Sequence, residues 1–214
     1  MRYIDMQNWP RREHFKVFSA FDHPHFSMCA NVDLTELLSA VKQHGYSITV
    51  AIVYVISRSA NEIPEFRYRI RAEKVVEHDF VHPATTILTD QDLFSFCTII
   101  YDQDFSLFAA RAEEEIAFVQ EHPTLESDPE LDDRLYMTAI PWVSFTSFMH
   151  PMHLQPADSV PRFAWGKFFE DGEFLRMPLE VQAHHALMDG VHMGQFYLKV
   201  QDLMHHPDFI TGAA

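Results

Sequence analysis

An α+β fold built on one large mixed β-sheet is the class this 214-residue sequence predicts. Three observations point there: β-branched and aromatic runs recur along the chain, segments of helical period separate them, and a hairpin signal, Asp171-Gly172, falls late in the chain. With 47% hydrophobic and 14% aromatic residues the chain can bury a substantial core. The length suits one domain, and neither repeats nor low-complexity linkers divide it, so residues 1–214 read as a single unit.

The elements follow in order. After Pro10, residues 11–20 read as a short helix with Phe15 and Phe18 on one face. Residues 26–32 form a candidate strand. Asp33 is placed to cap a helix over 34–44, with Leu37, Leu38 and Val41 as its apolar stripe and Gly45 closing it. The apolar run from Ile48 to Ala60 is strand-like in composition, but its length favours a buried helix behind Ser47. Past Pro64, alternation of Phe66, Tyr68 and Ile70 with Arg67, Arg69 and Arg71 predicts a half-buried strand with its arginines on the polar face. Strands follow at 74–77, 85–88 and 94–101. An amphipathic helix capped by Asp104 runs to Glu121, and an acidic loop covers 122–133. The remainder is mainly β: a strand region over 136–148 broken at Pro141, a hairpin of 163–170 with 173–181, and a last helix over 191–205.

Charge narrows the function. Thirty-one carboxylates against 16 Lys and Arg leave a net charge of −15, which disfavours a nucleic-acid binder. No apolar run is long enough to span a membrane, and residues 1–10 lack the apolar stretch of a signal peptide, so a cytoplasmic protein is expected. Cys29 and Cys97 provide neither a disulfide framework nor a zinc site and read as small hydrophobes. Of the 14 histidines, His23, His25, His150, His153, His205 and His206 are expected at the surface.

The most informative stretch is 182–190, Gln-Ala-His-His-Ala-Leu-Met-Asp-Gly, between a predicted strand and a predicted helix. Such a turn can hold an imidazole in one rotamer. Three readings are open. His184 and His185 can be ordinary strand-end histidines with Asp189 capping the helix. His185, Asp189 and His192 are suitable metal ligands, although their spacing matches no metal-helix signature. Neutral imidazole can also remove a proton from an alcohol or thiol near pH 7.

The His-His-Ala-Leu-Met-Asp-Gly run resembles the HHxxxDG signature of CoA-dependent acyltransferases. Three further blocks, 8–15 (NWPRREHF), 63–67 (IPEFR) and 140–148 (IPWVSFTSF), resemble the chloramphenicol acetyltransferase family, as does the stretch from Gly166-Lys167 to His185, so the likeness spans nearly the whole chain. The resemblance implies a two-layer sandwich and transfer of acetyl from acetyl-CoA to a hydroxyl of chloramphenicol in a ternary complex. It makes His185 the general base and His184 structural. It pairs Asp189 with Arg11, with Arg12 as the neighbouring rival. It puts Thr138, where the family has serine, at the oxyanion. Ala164 stands where many members have a threonine, and His150 and Pro24 where pocket residues are commonly smaller or apolar. Val17, Phe18, Phe26, Thr85, Tyr136 and Phe148 would line the acceptor pocket, along with Phe96. Lys167 and Phe168 would meet CoA, no metal is needed, and the assembly would be a homotrimer with its active sites at subunit interfaces. A different hydroxyl or amine acceptor, or a non-catalytic binding trimer, are the alternatives. Because the cofactor is an anion and the protein is acidic, the CoA entrance should be a local exception, with Glu113–Glu115 and the 126–133 carboxylates turned elsewhere.

Overall fold

The computed structural model describes residues 1–90, 92–126, 128 and 131–212. Ten strands and five α-helices follow in chain order among them: β1 (Arg2–Tyr3), α1 (Arg12–Phe18), β2 (His25–Asp33), α2 (Thr35–His44), α3 (Ile48–Asn61), β3 (Tyr68–Arg71), β4 (Lys74–Glu77), β5 (His82–Leu88), β6 (Phe94–Thr98), α4 (Phe105–Glu121), β7 (Arg134–Ile140), β8 (Arg162–Gly166), β9 (Phe169–Asp171), β10 (Phe174–His184) and α5 (Gly190–His205). Seven strands make the main sheet in the order β2-β10-β8-β7-β5-β6, with β9 paired to β10. The β5–β7 and β7–β8 pairs are parallel and the rest antiparallel, so the sheet is mixed. A small antiparallel sheet, β1-β4-β3, lies apart from it.

Strand periodicity sorts the two faces of the main sheet. Along β10, Met177, Leu179, Val181 and Ala183 join the main core with residues of α2, α3, α4 and α5. That core makes the helix layer and sheet a two-layer α+β sandwich, as expected. On the other face Glu180, Gln182 and His184 are also buried. The connection from β7 to β8 covers part of it: His150 N–H donates to Gln182 Oε1 at 3.2 Å, and Arg162 pairs with Asp158.

Several boundaries differ from expectation, each for a local reason. Asp33 ends β2, one position too early to cap α2. Its carboxylate instead accepts from the Thr35 N–H and hydroxyl. Phe66 and Arg67 belong to a 3₁₀ turn, Pro64–Arg67, so β3 has only four residues. Arg69, expected on the polar face, is fully buried. Its guanidinium donates to the carbonyls of Phe66, Tyr68, Asp132 and Arg134, which fastens β3 to the start of β7. The 136–148 strand region stops at Ile140, because Pro141 has no N–H for the ladder. Asp104 caps α4 as expected, and Ser47 caps α3. The late hairpin forms with Gly172 and Glu173 as its two loop residues, Gly172 at φ 64°. Gly166 is required by close approach: a Cβ there would stand 2.8 Å from Pro178 Cγ and 2.9 Å from the Val143 carbonyl oxygen.

Candidate active site

The long strand β10 carries the His-His pair to its end, and α5 begins six residues past His184. His184 is the last strand residue and is 3% exposed. Its Nδ1 accepts from the Ala186 N–H at 3.2 Å, and its ring meets His25 edge-on. Burial pulls this imidazole down to about 4, so it is neutral near pH 7. His185 is half-buried. Its N–H donates to the Pro24 carbonyl at 2.8 Å, and its Nδ1 lies 3.1 Å from the Met188 carbonyl. A carbonyl can only accept, so Nδ1 is the donor, and in the neutral ring the lone pair falls on Nε2. The ring stacks on Phe18 of α1 at 3.9 Å between centroids and 4° between planes, and it tilts against Phe26 at 4.5 Å. Two aromatic walls and one carbonyl thus hold a single tautomer in a single plane.

Arg11 locks the turn beneath that ring. It donates to Asp189 Oδ2 at 2.6 Å, to the His185 carbonyl at 2.9 Å and to the Ala186 carbonyl at 3.2 Å. Arg12 points elsewhere, to Glu13 and the Gln7 carbonyl. Asp189 also caps α5 through the Val191 N–H, and its own N–H donates to Nδ1 of His192 at 3.1 Å. Burial is the largest single influence and raises the Asp189 carboxyl, but the Arg11 hydrogen bond and charge, with His192 and the Val191 N–H, together hold the group below its usual range. His192 Nε2 stands 3.5 Å from Glu65, a contact that sequence spacing had not suggested. Among the described residues no group of three or more His, Cys, Asp or Glu is arranged to hold a metal.

The other expected site residues lie apart from this turn. Thr138 is on β7, opposite Ala164 of β8, which is opposite Glu180 of β10. Two strand spacings and four residue rises put the Thr138 Cα about 16 Å from that of His184. Thr138 Oγ1 meets Thr86 Oγ1 at 2.8 Å. Thr85 is 4% exposed and pairs with the core residues Cys97 and Met137, which places it on the helix side, so Thr86 is the threonine that accompanies Thr138. Tyr136 shares the Thr138 face and lies under the Arg162 guanidinium. Phe148 meets the ring of His150 edge-on at 4.8 Å. Phe96 is 40% exposed, and Val17 is exposed on α1. Lys167 is exposed, its N–H held by the Val143 carbonyl, and Phe168 packs partly against the main core. Of the histidines expected at the surface, His25 and His150 are not there. His25 Nε2 bonds the Asp158 carbonyl at 2.6 Å, and the His150 side chain, on the β7–β8 connection, is only 13% exposed.

The model of the chloramphenicol acetyltransferase family matches residues 1–201. The chain belongs to that family. A chloramphenicol acetyltransferase of Proteus mirabilis is 34% identical over 199 residues, 92% of each chain, and chloramphenicol acetyltransferase 2 of Escherichia coli is 31% identical over 92% of this chain and 94% of its own. A solved chloramphenicol acetyltransferase superposes with a TM-score of 0.84 at 29% identity, covering 94% of this chain and 98% of the other. The cubic core of a pyruvate dehydrogenase multienzyme complex shares the fold at a TM-score of 0.63 and 18% identity, over 88% of this chain and 84% of the other. This family member is accordingly an acyltransferase, and the His185 turn is where its chain concentrates ordered polar chemistry.

Proposed function

We propose that this acyltransferase moves acetyl from acetyl-CoA to a hydroxyl of chloramphenicol, with His185 as general base. The observation that carries the reading is the held imidazole: Nδ1–H is tied to a carbonyl and Nε2 is left as the base. In the proposed step Nε2 takes the hydroxyl proton as the oxygen attacks the thioester carbonyl. The tetrahedral adduct then expels the CoA thiolate, which receives the proton from the imidazolium. Thr138 donates its hydroxyl to the oxyanion. Arg11 and Asp189 position the turn and carry no proton. Phe18, Phe26, Tyr136 and Phe148 supply aromatic area for a nitrophenyl ring, and Val17 borders it. Lys167 offers a point charge to a CoA phosphate, with Phe168 beside it.

Base and oxyanion donor must both lie within hydrogen-bonding reach of one reacting centre, and the roughly 16 Å from the Thr138 Cα to the strand end at His184, one residue before the base, is too long for one chain to supply both. That distance supports a homotrimer in which His185 of one copy faces Thr138 of the next. We read residues 1–214 as one domain, supported by the single main core that α2 to α5 share. No helix among the described residues is long and apolar enough to cross a membrane. We place the enzyme in the cytoplasm, where the acetyl-CoA pool is.

Release of CoA thiol on mixing enzyme, acetyl-CoA and chloramphenicol tests the function. Wild type should turn over, and His185→Ala should lose roughly 10²–10⁴ in kcat, the usual worth of a general base. Undiminished turnover by His185→Ala would overturn the assignment.

A further inference from the structure

Outside the His185 turn, Glu180 is the most unusual side chain. It is 0% exposed, and neither carboxyl oxygen reaches hydrogen-bonding geometry with another described residue. His150 stands over it with Nδ1 3.9 Å from Oε2, and neither ring nitrogen of His150 has a partner. A buried carboxyl is costly unless something completes it. The nearby cation does not: Arg162 is occupied by Asp158 and the Val160 carbonyl. The Ser27 side chain on β2 approaches outside strict hydrogen-bonding geometry and lowers the carboxyl, but burial dominates and pushes it up to about 8. Burial, then Arg162, pulls His150 down to about 4, so His150 is neutral as well. Cys29, opposite Glu180 on β2, and Tyr197 of α5 are the other titratable neighbours, and burial pushes both up. The pair therefore has unused hydrogen-bonding capacity and no fixed counter-charge.

Its place in the sheet says what uses it. Thr138, Ala164 and Glu180 form one row across β7, β8 and β10, so their side chains share a face. Only the methyl of Ala164 separates Glu180 from the threonine proposed at the oxyanion. The Cα atoms of Thr138 and Glu180 are about 10 Å apart by two strand spacings. Phe148, an expected wall of the acceptor pocket, touches His150. Ala164 and Glu180 are sealed, while Thr138 on one side and Cys29 on the other are half-buried, so the row opens at both ends.

We propose that Glu180 and His150 form a subsite that recognises a protonated amine on the acceptor, so that amino alcohols are preferred over alcohols of the same size. This rests on the reading of the chain as an acetyltransferase with Thr138 at the reacting centre, and it extends that reading to acceptor selection. On binding, the Glu180 carboxyl releases its proton to solvent, the resulting carboxylate pairs with the ammonium, and His150 donates a ring N–H to the free carboxylate oxygen. The acidic protein as a whole favours approach of a cation.

The test compares aminohexanol with heptanol as acceptors, with chloramphenicol alongside, following O-acetyl product by mass spectrometry from pH 6 to 8.5. A charge-assisted pair implies a kcat/KM ratio of about tenfold or more in favour of the amino alcohol. The ratio should grow as pH rises toward 8, because proton release then becomes easier. The pH dependence of the base cancels in the ratio. Glu180→Gln should bring the ratio to about one, and His150→Leu should reduce it. Circular dichroism checks that each variant is folded, and His150→Leu serves if Glu180→Gln is not. A wild-type ratio near one at every pH overturns the subsite, as does a ratio that neither variant changes. If chloramphenicol turns over while the ratio is one, only the subsite fails. If no acceptor yields CoA thiol, the acetyltransferase reading fails with it.

Discussion

Arg11 makes three hydrogen bonds into the 185–189 turn, one of them to the carboxylate that caps α5. Asp189→Ala should therefore cost both a cap and an anchor. We expect about 1 kcal/mol of stability from the cap and a tenfold or larger fall in kcat, since imidazole placement matters more than fold. Calorimetry against steady-state kinetics separates the two; equal kcat in the variant would sink the positioning role. Glu180 has a different signature. Its carboxyl is raised in the folded chain, so the unfolded state releases that proton first, and stability falls between about pH 4.5 and 8. His150 and His184 are lowered to about 4, so their contribution is complete above about pH 6.5 and does not confuse the upper range. Between pH 6.5 and 8 the wild type should lose up to about 2 kcal/mol that Glu180→Gln does not, as linkage of one proton requires. Urea unfolding at the two pH values measures it. At this scale the His185, Asp189 and Arg11 constellation was readable because it rides on a motif. Glu180 and His150 were not, because neither burial nor the lack of a partner has a signature in the sequence.

Elements were readable where a period or cap was strong. The capped helices α3 and α4 and the glycine hairpin fall close to their expected positions. The errors lie where tertiary contacts override a local pattern. Arg69 alternates like a surface residue yet is buried, because four carbonyls converge on it. Burial pulls its guanidinium down to about 10, still protonated near pH 7. Residues 141–148 look like strand yet form the covering connection, with Trp142 64% exposed. Gly166 is where that connection presses on the sheet. Gly166→Ala should destabilise by roughly 1–3 kcal/mol, the usual range for overpacking, because the nearest atoms include a backbone carbonyl that cannot rotate away. An unchanged unfolding midpoint would mean that the connection yields freely.

The molecule as a whole carries −15, yet its expected co-substrate is an anion. The exposed acids Glu113, Glu114 and Glu115 ride on α4, which packs at the β6 edge of the sheet, whereas Lys167 follows β8 in the middle of the sheet, with exposed Glu170, Asp171 and Glu173 a few residues on. Asp132 is spent on Arg71 and His78, and Asp133 on Arg134. Lys167→Glu should accordingly raise the KM for acetyl-CoA several-fold, more at low salt than at high, with little change in kcat. Assembly offers a sharper test. If one site takes His185 and Thr138 from different copies, unfolding and refolding a mixture of inactive His185→Ala and impaired Thr138→Ala chains should restore up to about a quarter of wild-type activity, the random share of interfaces with both groups intact. A mixture no better than its parts would place the whole site in one chain.

By itself the sequence determined the family, the α+β class and the residues of the His185 turn, because motif residues and strong periods are local and survive without coordinates. Only the tertiary structure decided that Arg11, the expected partner of Asp189, also holds the His185 and Ala186 carbonyls. It also put Thr86 rather than Thr85 beside Thr138, and it left a carboxyl and an imidazole sealed together without partners. Those outcomes depend on which face of a strand meets which layer, and register across a sheet is set by long-range pairing that no local pattern contains.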